Sequence, residues 1–273
     1  MNAFRLLLAG ALALSLAAPV AAAEKDIVIN GSTTVLPVMQ KVSEAFMAAN
    51  PGVNISLSGG GSGNGIKALN DGLCSIAMSS RDMKDKEQAQ GKSKGITPVR
   101  FVIAKDALVP VVHPSNTVKN MSVQQLRDIF TGKITNWKEV GGADEPIVVI
   151  SRDSSSGTFE TWAELIMNKE KVMPAALLQA SNGAVTQAVG KNKKAIGYVG
   201  LGYLNDALKP LTVDGKAATA SAAKDGTWPI ARDLYLFTNG EPAGMVKTLI
   251  DFTLDPQKGQ KFVEKVGYIP LSK

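Results

Sequence analysis

The most constraining feature of the sequence is a unit that occurs three times: an apolar segment, a turn rich in glycine, serine or threonine, and then a helical pattern. The first turn is 31–34, the second is 59–65 and the third is 154–158. After each turn the apolar residues recur at helical spacing. Strands that alternate with helices favour a largely parallel sheet with helices on its faces. We therefore predict an α/β fold.

The rest of the pattern predicts further elements around these units. Strands are expected at 26–30, 53–57, 75–78, 99–103, 108–112, 147–150, 196–199 and 234–237. Helices are expected at 122–130 and from Pro242 onward, and a polar loop is expected at 217–226.

Residues 1–23 have the pattern of a cleavable secretory signal. Arg5 is followed by an apolar stretch, and the segment ends in three alanines. We expect cleavage near Ala23 and a periplasmic protein. Because Cys74 is the single cysteine, no disulfide can form within one molecule. Secretion without disulfides fits a bacterial periplasm. About 250 residues remain after cleavage, which is comfortable for two lobes.

Composition and motifs exclude several function classes. The formal net charge of +6 attracts anions, but aromatic residues are only 5% and no basic run is longer than Lys193-Lys194, so we expect no nucleic-acid partner. One histidine and one cysteine do not support a zinc site, and His113 is interpreted as structural. Nucleotide-binding P-loop and hydrolase-elbow motifs are absent from the sequence. We expect no metal, no cofactor and no catalytic residues.

The three turns together point to a site for an anion. The first backbone N–H groups of a helix have no internal partner, and the helix dipole is positive at that end. Serine and glycine are also ordinary caps and turn residues, so each turn alone is weak evidence. Arg81 and Arg152 lie near two of the turns and match the oxygens of a tetrahedral oxyanion, although each has an aspartate neighbour that could pair with it on the surface.

The chain resembles the phosphate-specific substrate-binding proteins of ATP-driven import systems, in their short form. The segments that carry the resemblance are GSTTVLP at 31–37, GSGNGIK at 61–67, IAMSSR at 76–81, IFTGKITNW at 129–137 and RDSSSGT at 152–158. They follow one another in the order that the family has.

The resemblance implies a type II periplasmic-binding-protein architecture, with two lobes joined by two crossovers. Lobe I would comprise 24–109 and 234–273, and lobe II would comprise 110–233. The implied function is high-affinity binding of inorganic phosphate and its delivery to the membrane permease of an ABC importer, by a monomer. The candidate ligands, which share a position at a strand-to-helix turn or beside it, are Thr33, Thr34, Val35, Ser62, Ser80, Arg81, Arg152, Ser156, Gly157 and Thr158.

Selectivity and two alternative functions stay open at this stage. The family's longer members have an aspartate that accepts the phosphate proton, and Ser80 stands at that position here. Asp153 and Glu160 are the other candidate acceptors. The alternatives are a secreted phosphatase or other hydrolase, and a binding protein for another oxyanion such as sulfate or molybdate.

Overall fold

The computed structural model describes residues 26–271, and the predicted signal segment lies outside the described residues. The strands are Asp26–Gly31 (β1), Asn54–Gly59 (β2), Ile76–Ser79 (β3), Pro98–Val112 (β4), Asn120–Met121 (β5), Val148–Arg152 (β6), Leu177–Gln179 (β7), Ala195–Gly200 (β8), Lys209–Pro210 (β9), Thr212–Val213 (β10) and Ala231–Asn239 (β11). The helices are Leu36–Ala49 (α1), Ser62–Asn70 (α2), Asp85–Ser93 (α3), Val123–Thr131 (α4), Gly157–Leu165 (α5), Asn182–Lys191 (α6), Ala220–Lys224 (α7), Gly244–Leu254 (α8) and Gly259–Val266 (α9). Two short 3₁₀ turns lie at Trp137–Val140 and Leu201–Tyr203.

Most strands join one continuous sheet with the order β2-β1-β3-β11-β4-β8-β6-β7, and β9 pairs with β4. At one end, β1 pairs in parallel with β2 and β3, and at the other end β6 pairs in parallel with β7 and β8. The middle is antiparallel, because β11 runs against both β3 and β4, and β4 runs against β8. Each end is therefore a parallel α/β unit, as predicted.

The hydrophobic core is divided between these two ends, for which we use the names lobe I and lobe II. The lobe I core contains residues of β1, β3 and α1 together with residues of β11, α8 and α9. The main lobe II core packs around Trp162, Phe130 and Tyr198, whose rings stack or tilt against one another. A separate cluster joins β6, β8 and α6.

Strand β4 corrects one expectation. Two strands, 99–103 and 108–112, were predicted, but the chain forms one strand of 15 residues that passes from one core to the other. Ile103 belongs to the lobe I core and Leu108 to the lobe II core. The predicted gap at 104–107 contains Asp106, which is buried directly opposite Arg232 of β11, so its charge is balanced within the sheet.

Other observed elements were absent from the prediction. The predicted loop 217–226 contains α7, whose Thr219 side chain caps the helix by accepting from the Ala222 amide. Helix α3 is polar and packs on α2. Helix α6 begins at the turn after β7, and both were absent from the predicted elements.

Two further observations concern the described helices and the single cysteine. Among the described helices, none combines the length and apolar character of a membrane span. Cys74 is a free, partly buried thiol, and burial raises its pKa to about 11.

Candidate functional site

Four helices begin at the junction of the two lobes. Helices α1 and α2 come from lobe I, and α5 and α6 come from lobe II. The Gly63 amide donates to the Ser155 carbonyl at 2.9 Å, and the Ser155 hydroxyl oxygen lies 3.2 Å from the Gly60 carbonyl oxygen. Asn182, the first residue of α6, donates to the hydroxyl of Thr33. The lobes are therefore in contact, with positive helix ends facing one region.

Two pairs of buried hydroxyls lie in this region. Thr34 and Thr158 come from different lobes, and their hydroxyl oxygens are 3.0 Å apart. The Ser62 and Ser80 hydroxyl oxygens are 3.3 Å apart, and the Ser80 amide also donates to Ser62. All four residues are at most 1% exposed. The predicted site residues from both lobes thus meet within hydrogen-bonding distance.

Glycine is required where the lobes approach most closely. A Cβ atom at Gly157 would collide with the Ser62 hydroxyl and lie 2.8 Å from the Ser80 hydroxyl. Gly61, in the turn before α2, has a φ of 102° and faces the Ser155 backbone in the same way. The glycines therefore let the start of α5 come against the start of α2.

The start of α5 offers amides to a ligand. The Ser156 hydroxyl accepts from the Phe159 amide, and the first bond of the helix ladder runs from Glu160 to the Ser156 carbonyl. The amides of Gly157 and Thr158 precede that bond, so they belong to the helix end that has no internal acceptor. The place of both residues in an anion site stays a prediction.

Arg152 is held at the end of β6 with its charge buried. Its Nε donates to the Gln179 carbonyl and its Nη2 to the Ala180 carbonyl, at 2.9 and 3.0 Å. Its remaining nitrogen, Nη1, is buried and has no partner among the described residues. Burial lowers the pKa of Arg152, but guanidinium stays charged in proteins.

The alternative of a surface ion pair with Asp153 does not apply to Arg152. The Asp153 carboxylate accepts from the amide and hydroxyl of Ser155, which closes its own turn. Arg152 is 1% exposed and forms no ion pair within the part of the chain that the structure describes. A buried guanidinium without a carboxylate is suited to an anionic ligand.

Arg81 has different neighbours from those expected. Its guanidinium donates to both carboxylate oxygens of Glu87 at 2.8 Å, and its Nε lies 2.6 Å from Glu160. Glu160 also pairs with Lys84 at 2.8 Å. Contact of Arg81 with an anion therefore stays a prediction, whereas its described contacts connect the lobes, because Glu160 lies on α5.

The structure adds residues that sequence reasoning missed. Asn182 and Arg232 donate to the Thr34 hydroxyl, and Asp106 accepts from Arg232. The turn 181–183 is a fourth serine- and glycine-containing helix start, so the signal used for the first three could have found Asn182. Arg232 precedes Asp233 and had no pattern that separates it from a surface arginine.

Two tyrosines support the turn before α1 from behind. The Tyr268 hydroxyl donates to the Thr34 carbonyl at 2.9 Å, and the Tyr203 hydroxyl donates to the Thr33 carbonyl. Burial raises the pKa of Tyr203 to about 12, so it keeps its donor proton at neutral pH.

No group of three or more metal-ligating side chains occurs in residues 26–271.

Comparison with known proteins identifies the family. The sequence profile described as PBP superfamily domain matches residues 16–257. The phosphate-binding protein PstS of Bacillus subtilis is 31% identical over 252 residues, which cover 92% of this chain and 82% of that protein. The chain belongs to the PstS family. The PstS of Borreliella burgdorferi is also 31% identical, over 91% of each chain.

Solved structures confirm the PstS architecture. The putative phosphate ABC transporter substrate-binding protein of Clostridium perfringens, solved with bound phosphate, matches with a TM-score of 0.85 at 35% identity. That match covers 90% of this chain and 100% of the other. An ABC-type phosphate transport receptor from Vibrio cholerae matches with a TM-score of 0.74 at 31% identity, with the same coverage. The predicted two-lobed α/β fold of type II is confirmed.

Proposed function

We propose that this PstS-family chain binds inorganic phosphate between its lobes and delivers it to the membrane permease of an ABC importer. The observation that carries the proposal is the buried Arg152, whose Nη1 has no partner among residues 26–271 and lies in a region where four helices begin and two lobes supply hydroxyls. Fixed donors without an internal acceptor are what a multiply charged oxyanion requires. The relatives and solved structures named above are described as phosphate-binding, which supports the same ligand.

The lobes and their hinge give the proposed binding cycle. We assign 24–109 with 234–273 to lobe I and 110–233 to lobe II. Strands β4 and β11 each contact both cores, so rotation about these two strands would open the site. The closed protein would then dock as a monomer on the permease, outside the cytoplasmic membrane. We propose that no chemistry is done on the ligand, because the buried hydroxyls at the helix starts contact other hydroxyls, amide nitrogens and guanidinium, and no carboxylate or imidazole among the described residues.

Calorimetry with phosphate, sulfate and molybdate tests the ligand. We expect phosphate to bind most tightly, and tighter binding of sulfate or molybdate would contradict the proposal. Turnover of a chromogenic phosphate ester by the purified protein would favour the hydrolase alternative.

The described carboxylates nearest the turns, which are the candidate acceptors of the phosphate proton, already have other partners. Asp153 binds Ser155, and Glu160 pairs with Arg81 and Lys84. Titrations at about pH 6 and about pH 8 will show which phosphate protonation state is bound.

The Arg81–Glu160–Lys84 ion pairs predict an effect on release. Replacing Glu160 by glutamine removes the lobe II partner of two lobe I cations, so we expect phosphate to dissociate about 10-fold faster. Added salt should accelerate release from the wild type more than from the variant, because salt screens the pairs. Stopped-flow release measurements test this.

The matched control for Glu160 is Glu164→Gln on the same helix. Glu164 is exposed and makes no ion pair among the described residues. It should leave the dissociation rate unchanged. Equal rates for Glu160→Gln and wild type would show that the ion pairs do not hold the lobes together.

A further inference from the structure

A buried hydrogen-bond network surrounds the hydroxyls of Thr34 and Thr158. Asn182 Nδ2 donates to the Thr34 hydroxyl at 3.0 Å, and Arg232 Nη2 donates to the Thr34 and Thr158 hydroxyls at 3.2 and 3.0 Å. Asp106 Oδ2 accepts from Nε and Nη2 of Arg232. These residues are between 0% and 8% exposed. The network therefore excludes water and must satisfy its own donors and acceptors.

Counting protons fixes the direction of these bonds. Asparagine nitrogen and guanidinium can only donate, so both bonds to Thr34 use lone pairs of its oxygen. A hydroxyl oxygen has two lone pairs, which leaves the Thr34 proton to point to Thr158 or to a ligand. Arg232 Nη2 has two N–H groups and one of them binds Asp106, so the second N–H is shared between the Thr34 and Thr158 oxygens, which both act as acceptors. At most one of the two hydroxyl protons is used between the threonines, so at least one remains for a ligand.

The two donors, Asn182 and Arg232, are held in place by hydrogen bonds to groups that do not face the threonines. The Asn182 carbonyl oxygen accepts from the Gly200 amide, which fixes the amide group with its nitrogen toward Thr33 and Thr34. Asp106 Oδ1 accepts from the Leu201 amide while Oδ2 binds Arg232, so the guanidinium cannot turn away without leaving a buried charge. Arg232 also carries a buried Nη1 that has no partner among residues 26–271.

We propose that Asn182 and Arg232 are positioning residues that commit the hydroxyls of Thr34 and Thr158 to donate to the ligand. The inference rests on the proposed binding function and adds a specificity element to it. The ligand oxygen that faces these threonines has to be unprotonated, because every group behind them donates. The proton of a monoprotonated phosphate is thereby directed to another part of the site.

Two substitutions at Asn182 separate this role from simple packing. Asn182→Asp keeps the shape but replaces the donor by an acceptor, toward which Thr34 would turn its proton. Asn182→Ala only deletes the donor. We expect Kd for phosphate at about pH 8 to rise about 30-fold in Asn182→Asp and about 5-fold in Asn182→Ala. A packing role predicts the opposite order, since alanine leaves the larger cavity.

The pH dependence provides a second readout. Protonation of the new aspartate restores a donor, so the ratio of variant to wild-type Kd should fall when the pH is lowered to about 5. Comparison with the wild type at each pH cancels the titration of phosphate itself. The other titratable or charged groups around the network, which are common to both proteins, are Asp106, Arg152, Tyr203, Arg232 and Tyr268.

Controls keep the outcomes distinct. Asn50→Asp removes an amide donor at the far end of α1, where Asn50 binds the Phe46 carbonyl, and should leave Kd unchanged. Arg232→Lys keeps the charge but not the fork, and we expect it to weaken phosphate binding about 10-fold. A wild type that binds no phosphate would reject the proposed function. A wild type that binds, with Asn182→Ala weaker than Asn182→Asp at both pH values or with Arg232→Lys unchanged, would overturn the inference alone.

Discussion

Replacing Arg152 by alanine is expected to raise the Kd for phosphate at least about 30-fold, which corresponds to about 2 kcal/mol. The substitution removes a buried guanidinium whose Nη1 has no partner in the described part of the chain, while its other nitrogens are held by the Gln179 and Ala180 carbonyls. It also leaves those two carbonyls without their donor, so part of the loss comes from a less ordered turn before α6. Isothermal titration calorimetry measures Kd, and thermal unfolding shows whether the variant remains folded.

Two further variants help to interpret the Arg152→Ala result. Arg152→Lys keeps the charge but cannot reach both carbonyls and a ligand from one planar group, so we expect affinity between those of wild type and Arg152→Ala. Arg100→Ala is the control at an exposed arginine, which pairs with Asp82 on the surface. Exposed pairs contribute little, so its Kd should equal that of the wild type. A wild-type Kd for a folded Arg152→Ala protein would remove Arg152 from the site.

The second large effect is expected from Gly157→Ala, with phosphate affinity reduced about 10- to 100-fold. The added methyl would occupy the space of the Ser62 hydroxyl and press on the Ser80 hydroxyl, both of which belong to the opposite lobe. The lobes would have to remain apart at this point, which separates Thr158 from Thr34. Small-angle scattering with phosphate should then show a more open protein than the wild type does.

Gly183→Ala is the matched control for Gly157→Ala. Gly183 also lies in the first turn of a lobe II helix, but among the described residues a Cβ atom at this position would meet only the Ser181 hydroxyl, at 3.8 Å. We expect unchanged affinity and a closed protein with phosphate. If Gly157→Ala binds phosphate as the wild type does, the close approach of α5 to α2 is not part of ligand binding.

The fold was predictable where the local pattern is strong. Strand β1, the turn at 31–34 and α1 follow from alternation of apolar runs and turn residues, and each corresponds closely to the observed element. Strand β4 was predicted in two pieces because a buried Asp106 looks like a turn residue until its partner Arg232 is known. That partner is distant in sequence, and no local pattern connects the two strands.

The meeting of the three turns was predictable from the same kind of local pattern. The three turns that meet in the structure were found from their serine and glycine content, and Arg152 was found from its place beside one of them. The groups behind them were not found, because Arg232 and Asn182 act through distant partners. The direct ligand roles of the predicted residues stay predictions, which the substitutions above test.

The position of β11 in the sheet has a consequence for the order of folding. Strands β3 and β4 follow each other along the chain, yet β11 lies between them and pairs with both. Residues of β11, α8 and α9 also complete the core that begins with β1. Lobe I therefore cannot close its sheet until nearly the whole chain has been synthesised, and such long-range pairing is slow. Folding of lobe I is thus tied to completion of the chain, whereas the main lobe II core is formed, apart from Ile269, by residues 107–231.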